Sequence, residues 1–239
     1  MQETGNKNII SDKVLSVRLT AGGLSFSVLP AGKDEREHFL AYLKDAKKVD
    51  SLRQMFTKVR ELGGATYATV QVLLDTPDTV FVPAKLLESM PPENFLYEGG
   101  IFPGADKVTL VSPEVDNLCA VMSFDREVIG FFVERFGDNV IWFSPLQENL
   151  EVRERVNLSE GGYVVNITEG NLYVSSFNSN GQLLVAEVYP YSSEADIVYY
   201  LYKLTEYSAA KKDRIFLYGG RAAQHTRIVK KYFSRASLV

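Results

Sequence analysis

The stretch GGYVVNITEGNLYVSSF, residues 161 to 177, holds the residues with the most chemical promise. It reads as two strands joined by a tight polar turn, Thr168-Glu169-Gly170, with Asn166 at the end of the first strand. A turn of small residues lets backbone N–H groups approach an anion such as a phosphate. Asn166 could hydrogen-bond there, but an amide can neither accept a proton from water nor bring charge to Mg²⁺. Glu169 would repel a polyphosphate unless a metal stood between them. The same residues also suit a plain hairpin turn, since Asn and Gly are ordinary turn formers. Both readings stay open. Gly219 and Gly220 follow a buried strand in DRIFLYGG. They permit close backbone approach, either to the next helix or to a bound group.

Other chemistry-bearing residues are sparse. One cysteine, Cys119, and two histidines, His38 and His225, effectively exclude a Cys/His zinc site. A lone cysteine forms no intrachain disulfide, so a reducing cytoplasm is the expected compartment. Neither histidine lies near a nucleophile and an acid in a catalytic motif. Cys119 sits in an apolar, strand-like run and reads as core. Asp75 and Asp78 flank Pro77 and read as turn residues. Arg18 alternates with Val17 and Leu19 and reads as solvent-facing rather than as an anion contact. Tyr199 and Tyr202 lie off the apolar stripe of their helix and could edge a protein-binding surface. Arg227, Lys230, Lys231 and Arg235 read as the solvated face of a basic helix.

These residues need a scaffold, and the chain can build one. Its 239 residues, 46% hydrophobic and 23% charged, suffice for a sizeable core. A net charge of −4 gives no basic field for nucleic acid. The polar start MQETGNKNIISDK lacks a signal peptide's apolar stretch, and the longest apolar runs are too short to span a bilayer. Residues 1–13 read as a loose tail. VLSVRLT and LSFSVL around Ala21-Gly22-Gly23 predict a hairpin. EHFLAYLKDA fits a third strand or a short helix. Leu52, Met55, Phe56, Val59 and Leu62 predict a helix, and ATYATVQVLLDT a strand. TVFVPAKLLESM reads as a strand leading into a helix, and the Pro/Gly-rich residues 91–106 as a loop or boundary. KVTLVS and NLCAVMSF are strands, and Asp125 caps a helix carrying Val128, Ile129 and Phe132. NVIWFSPL is a strand and QENLEVRERV a helix. After the 162–177 hairpin come a strand, QLLVAEVYP, a helix opened by Ser193 with Asp196, a strand, DRIFLYGG, and the basic helix. Hairpin, third strand, helix and strand thus occur twice, over 14–88 and 162–220.

This duplicated plan resembles the actin, sugar-kinase and Hsp70 superfamily. VLSVRLTAGGLSFSV is similar to its first phosphate hairpin. GGYVVNITEGNLYVSSFNSNGQLLVAEVYP is similar to its second hairpin with the third strand, and DRIFLYGGRA to the strand and Gly-Gly turn beneath the adenosine. The likeness covers most of residues 14–233. It points to a bacterial family of unknown function with an actin-like ATPase fold. The type IV pilus assembly ATPase-like proteins and the cytoplasmic domains of type II secretion inner-membrane proteins are more distant lookalikes.

The resemblance implies an α/β fold of two duplicated actin-like, RNase H-like halves around a central cleft. Each half is a mixed sheet that begins with antiparallel strands and is flanked by helices, with residues 14–113 in the first and 114–239 in the second. It also implies a relic nucleotide cleft at Asn166, Thr168, Gly170, Gly219 and Gly220. Active members end the first strand of each hairpin with an aspartate; here those places hold Arg18 or Thr20, and Asn166. Phosphoryl transfer rests on positioned metal and charge, which both substitutions remove. The implied protein is a degenerate, non-catalytic cytoplasmic scaffold or adaptor for another protein, which could be membrane-associated. No nucleic acid, membrane insertion, metal or cofactor is expected. The alternative is a nucleotide-binding protein, ATPase or small-molecule kinase that takes Mg-ATP with Glu169, Asp75 or Asp78 as non-standard carboxylates.

Overall fold

The structure is a computed structural model that describes residues 13–21, 23–29, 37–41 (backbone only), 49–59, 66–207 and 214–239. The expected tail, apart from Lys13, lies outside the described residues, as do Leu62 and the side chain of His38.

Strands β1 (Val14–Thr20) and β2 (Gly23–Leu29) pair antiparallel, with Val17 opposite Phe26. Their alternation puts Leu15, Val17, Leu19, Leu24, Phe26 and Val28 into the first core. Ser16, Arg18, Ser25 and Ser27 take the other face. The ambiguous segment after residue 36 starts as a strand: β3 (Glu37–Ala41) pairs antiparallel with β2. Helix α1 (Val49–Lys58) buries Leu52 and Phe56 and leads into β4 (Thr69–Leu74), parallel to β1.

The chain then leaves this sheet. Strand β5 (Thr79–Pro83) is followed by a 3₁₀ turn, Ala84–Glu88, and by helix α2 (Pro92–Glu98). The helix replaces part of the expected loop. Pro91 and Pro92 fall at its N-cap and first position, where no N–H is needed, and Leu96 is fully buried. Strands β6 (Lys107–Val111) and β7 (Leu118–Asp125) complete a small antiparallel sheet of order β5-β7-β6. Helix α3 (Arg126–Phe136) begins where Asp125 Oδ1 accepts the Val128 N–H at 2.9 Å. It packs Val128, Ile129, Phe131 and Phe132 into the first core. Strand β8 (Val140–Phe143) pairs parallel with β4, giving the order β3-β2-β1-β4-β8. Residues well past position 113 therefore belong to the first sheet.

Helix α4 (Pro145–Arg153) crosses to the second half. Ser144 Oγ accepts from Leu146 N, and Gln147 Oε1 accepts from Ser144 N, each at 3.2 Å. The plan then repeats in β9 (Gly162–Ile167), β10 (Asn171–Phe177), β11 (Leu183–Pro190), α5 (Glu194–Tyr207), β12 (Ile215–Tyr218), α6 (Ala222–Tyr232) and β13 (Ser237–Leu238). Strands β9, β10 and β11 are antiparallel and β12 runs parallel to β9, in the order β11-β10-β9-β12-β13. The N-terminus of α5 is closed by Ser193 and Asp196, each accepting the other's N–H. One face of this sheet packs Ile197, Leu201, Val229 and Phe233. The other receives Leu150 of α4 against Val164 and Phe177. The fold is α/β, two duplicated actin-like halves about a central cleft, and α4 lies between the two sheets.

Candidate functional site

Asn166, the last residue but one of β9, lies opposite Tyr218 of β12 and is wholly buried. Its Nδ2 donates to Glu148 Oε2 on α4 at 3.0 Å, which sets the orientation of the amide. Its Oδ1 has no hydrogen-bond partner among the described residues and faces Gly219. A Cβ on Gly219 would lie 2.2 Å from that oxygen and 2.7 Å from the Ile167 carbonyl, and φ there is +101°. Only glycine fits, because the turn is laid directly onto the end of β9. Gly220 borders open space.

Glu148 is the hub, and the sequence reading does not single it out. Its Oε1 accepts from the Arg18 guanidinium of β1 while Oε2 takes Asn166. Arg18, expected to face solvent, is half-buried and ion-paired across the halves, because α4 presents a carboxylate to its face of the sheet. Burial pushes the Glu148 carboxyl above its ordinary value, and Arg18 offsets only part of that rise. Beside it, Tyr218 donates to Asn149 Oδ1 at 2.6 Å, and Asn149 Nδ2 donates to the Tyr173 carbonyl at 3.1 Å and Ser175 Oγ at 2.9 Å.

At the hairpin tip, Thr168 N and Oγ1 both donate to the Asn171 carbonyl, at 3.0 and 3.1 Å. Tyr191 donates its hydroxyl to the Thr168 carbonyl at 2.6 Å and its N–H to the Gly170 carbonyl at 2.8 Å. Glu169 pairs with Arg221, just before α6, at 2.9 Å. Thr20, at the first hairpin, donates to the Gly23 carbonyl at 3.2 Å.

Asp75 is not an exposed turn residue. It lies 1% exposed at the end of β4, and its Oδ1 accepts from Tyr173 Oη and Asn171 Nδ2, each at 2.7 Å. Asp78 lies just before β5, paired with Lys107 and accepting from Ser123 Oγ at 3.1 Å. The structure thus gathers Asn166, Gly219 and Gly220 at one strand end, with Thr168 and Gly170 at the hairpin tip beyond it. Cys119 is buried, and His225 is buried against the Tyr191 ring. Tyr199 and Tyr202 are each 56% exposed on α5. No three metal-ligating side chains cluster, and no helix is long and apolar enough to cross a membrane, among the described residues.

The duplicated sheets joined by α4 define a protein of the actin-like ATPase fold. The chain belongs to the family described as "Protein of unknown function (DUF3822)", which matches residues 2–235. It is similar to a solved Bacteroides thetaiotaomicron protein "with actin-like ATPase fold and unknown function". The TM-score is 0.83 at 17% identity, over 96% of this chain and 91% of that one. It is also similar to a chain of the PilM-PilN type IV pilus biogenesis complex, with TM-score 0.59 at 12% identity, over 95% and 88%. No curated protein matches its sequence. At these identities the likeness establishes the fold, and function must be argued from the site.

Proposed function

We propose that this protein is a non-catalytic cytoplasmic scaffold that uses the actin-like fold to bind another protein. The observation that carries this reading is the Arg18–Glu148–Asn166 bridge. In active relatives the two hairpin positions supply metal-handling carboxylates; here one supplies a guanidinium and the other an amide. The bridge holds the Glu148 carboxylate between internal partners. Two further features speak against Mg-ATP in the cleft. Asn166 Oδ1 is covered by Gly219, and the Glu169 carboxylate beside the hairpin tip is held by Arg221. The residues present do not fit a nucleotide with its metal. The PilM-PilN complex supports the reading from outside, since a protein of this fold is solved there with a protein partner. We divide the lobes after Ser144, where the chain passes from β8 into α4.

Titration of Mg-ATP into the purified protein tests this. No heat is expected at millimolar nucleotide, and hydrolysis no faster than in buffer. Saturable binding with turnover lost in Glu169→Ala or Asp75→Ala would replace the scaffold with an enzyme using non-standard carboxylates. Saturable binding without turnover would replace it with a nucleotide sensor.

A further inference from the structure

We propose that the face of the first sheet turned toward α4 is a binding site for a small zwitterionic ligand: a free amino acid with a polar, uncharged side chain. The proposal goes beyond the scaffold reading and does not depend on it.

The duplication supplies an internal comparison. In the second half, the face of β9 and β10 turned away from α5 and α6 is covered by α4, and Val164 and Phe177 are fully buried there. In the first half, α4 meets the corresponding face through the Glu148–Arg18 pair, and Gln147, Glu148 and Glu151 line the space between helix and sheet. What remains is a cavity of about 680 Å³, within the range of small-molecule sites. Its floor follows from strand register. Ser16 lies opposite Ser27 and beside Gln71, while Arg18 lies opposite Ser25 and beside Leu73.

The ordinary alternative is a wetted sheet face. The side chains argue otherwise. Ser27 is only 7% exposed, lines the cavity, and has no hydrogen-bond partner among the described residues. Its hydroxyl borders the cavity and can bond a group held there. Gln71 Oε1 accepts from Ser16 Oγ at 3.1 Å, leaving its amide N–H₂ as a donor beside the same space. Gln147 is already committed, donating to the Pro113 carbonyl at 3.0 Å and accepting from Ser144 N.

Charge then selects the ligand. The floor carries Arg18, whose guanidinium has more N–H groups than the one given to Glu148. The helix wall carries Glu148 and Glu151. A pure anion would meet the wall's carboxylates, and a pure cation would meet Arg18. A zwitterion satisfies both, with its carboxylate on Arg18 and Ser25, its ammonium toward Glu151, and a polar side chain reaching Ser27 and Gln71.

The test titrates each standard amino acid separately into the full-length protein, followed by amide chemical shifts and thermal melts. At least one polar, uncharged amino acid should bind saturably. Its N-acetyl and carboxamide derivatives, each lacking one charge, should bind roughly tenfold more weakly or worse. Ser27→Ala and Gln71→Leu should each weaken binding roughly three- to tenfold. Should a variant fail to fold, the derivatives on the unaltered protein decide alone. Absence of saturable binding by any amino acid would overturn the proposal. So would binding indifferent to the loss of either charge, or unchanged in both folded variants.

Discussion

Tyr173 donates its hydroxyl to Asp75 Oδ1 across 2.7 Å, joining the second sheet to the end of β4 in the first. Both residues are buried, and Asn171 donates to the same oxygen. A hydrogen bond to a charged acceptor contributes about 1.5–3 kcal/mol. Tyr173→Phe should therefore lower stability by about 2 kcal/mol, a Tm drop of roughly 4–8 °C for a chain of this size. Asp75→Asn should cost clearly less in the Tyr173→Phe background than alone, measured by urea denaturation. Equal costs in both backgrounds would mean the two groups are not coupled.

The glycines offer a graded test. Gly219→Ala forces a Cβ to 2.2 Å from Asn166 Oδ1 and 2.7 Å from the Ile167 carbonyl, at a φ of +101°. The carbonyl belongs to β9 and the amide is held by Glu148, so neither yields easily. The expected loss is about 3 kcal/mol or more. Gly170→Ala shares the strained backbone, with φ +99°, but meets open space, and should cost about 1 kcal/mol. Gly220→Ala has neither problem and should stay within about 0.5 kcal/mol. Urea midpoints should rank the variants in that order. A Gly219→Ala protein as stable as the parent would mean the turn does not rest on Asn166.

The duplicated plan is legible in the sequence because its signals are local. Leu15, Val17 and Leu19 alternate with Ser16 and Arg18, and Gly219-Gly220 ends a buried strand. Helix α2 is hidden because its prolines occupy the one turn that tolerates them. That β8 joins the first sheet is not legible, because it is four residues long and no local pattern tells which sheet so short a strand will join. Glu148 is invisible for a deeper reason. A lone glutamate on a helix reads as solvated, and only the placement of α4 between the sheets brings it to Arg18, 130 positions away. Asp75 carries a faint sign, a carboxylate at the C-terminal end of a parallel strand, where open α/β sheets place polar sites.

Alkaline pH should weaken the fold through buried phenols. Burial raises Tyr173 and Tyr218 well above the ordinary tyrosine value, with nearby Asp75 and Glu148 adding to it. A raised folded pKa gives stability that is full below the unfolded value, about 10, and is lost as pH climbs beyond it. Unfolding free energy should thus be level near neutrality and fall above about pH 10. Tyr173→Phe should flatten that fall by up to about 1.4 kcal/mol per pH unit. Urea denaturation across the alkaline range measures the slope. An unchanged slope would mean Tyr173 ionises as freely folded as unfolded.

Asn166→Asp tests the candidate site most directly. It replaces an N–H donated to Glu148 Oε2 at 3.0 Å with a second carboxylate. Burial already raises the Glu148 carboxyl, and two touching carboxylates cannot both ionise cheaply. The pair should share one proton, with its upper apparent pKa raised. A raised folded carboxyl gives stability below the unfolded value, about 4, that is lost as pH rises through the folded one. The variant should therefore approach the parent in mild acid and fall behind toward neutrality, by roughly 2–4 kcal/mol at pH 7, with Arg18 offsetting part of the charge. If position 166 kept room for a metal, Mg-ATP would restore the loss, because ligands of the folded state stabilise it. Gly219 covers the oxygen that would bind the metal, so no restoration is expected. Thermal melts of both proteins in mild acid and at neutrality, with and without Mg-ATP, separate the cases. Rescue by Mg-ATP at neutral pH would revive the nucleotide site and remove the case for the scaffold. A variant with the parent's pH profile would mean that Asn166 and Glu148 do not touch.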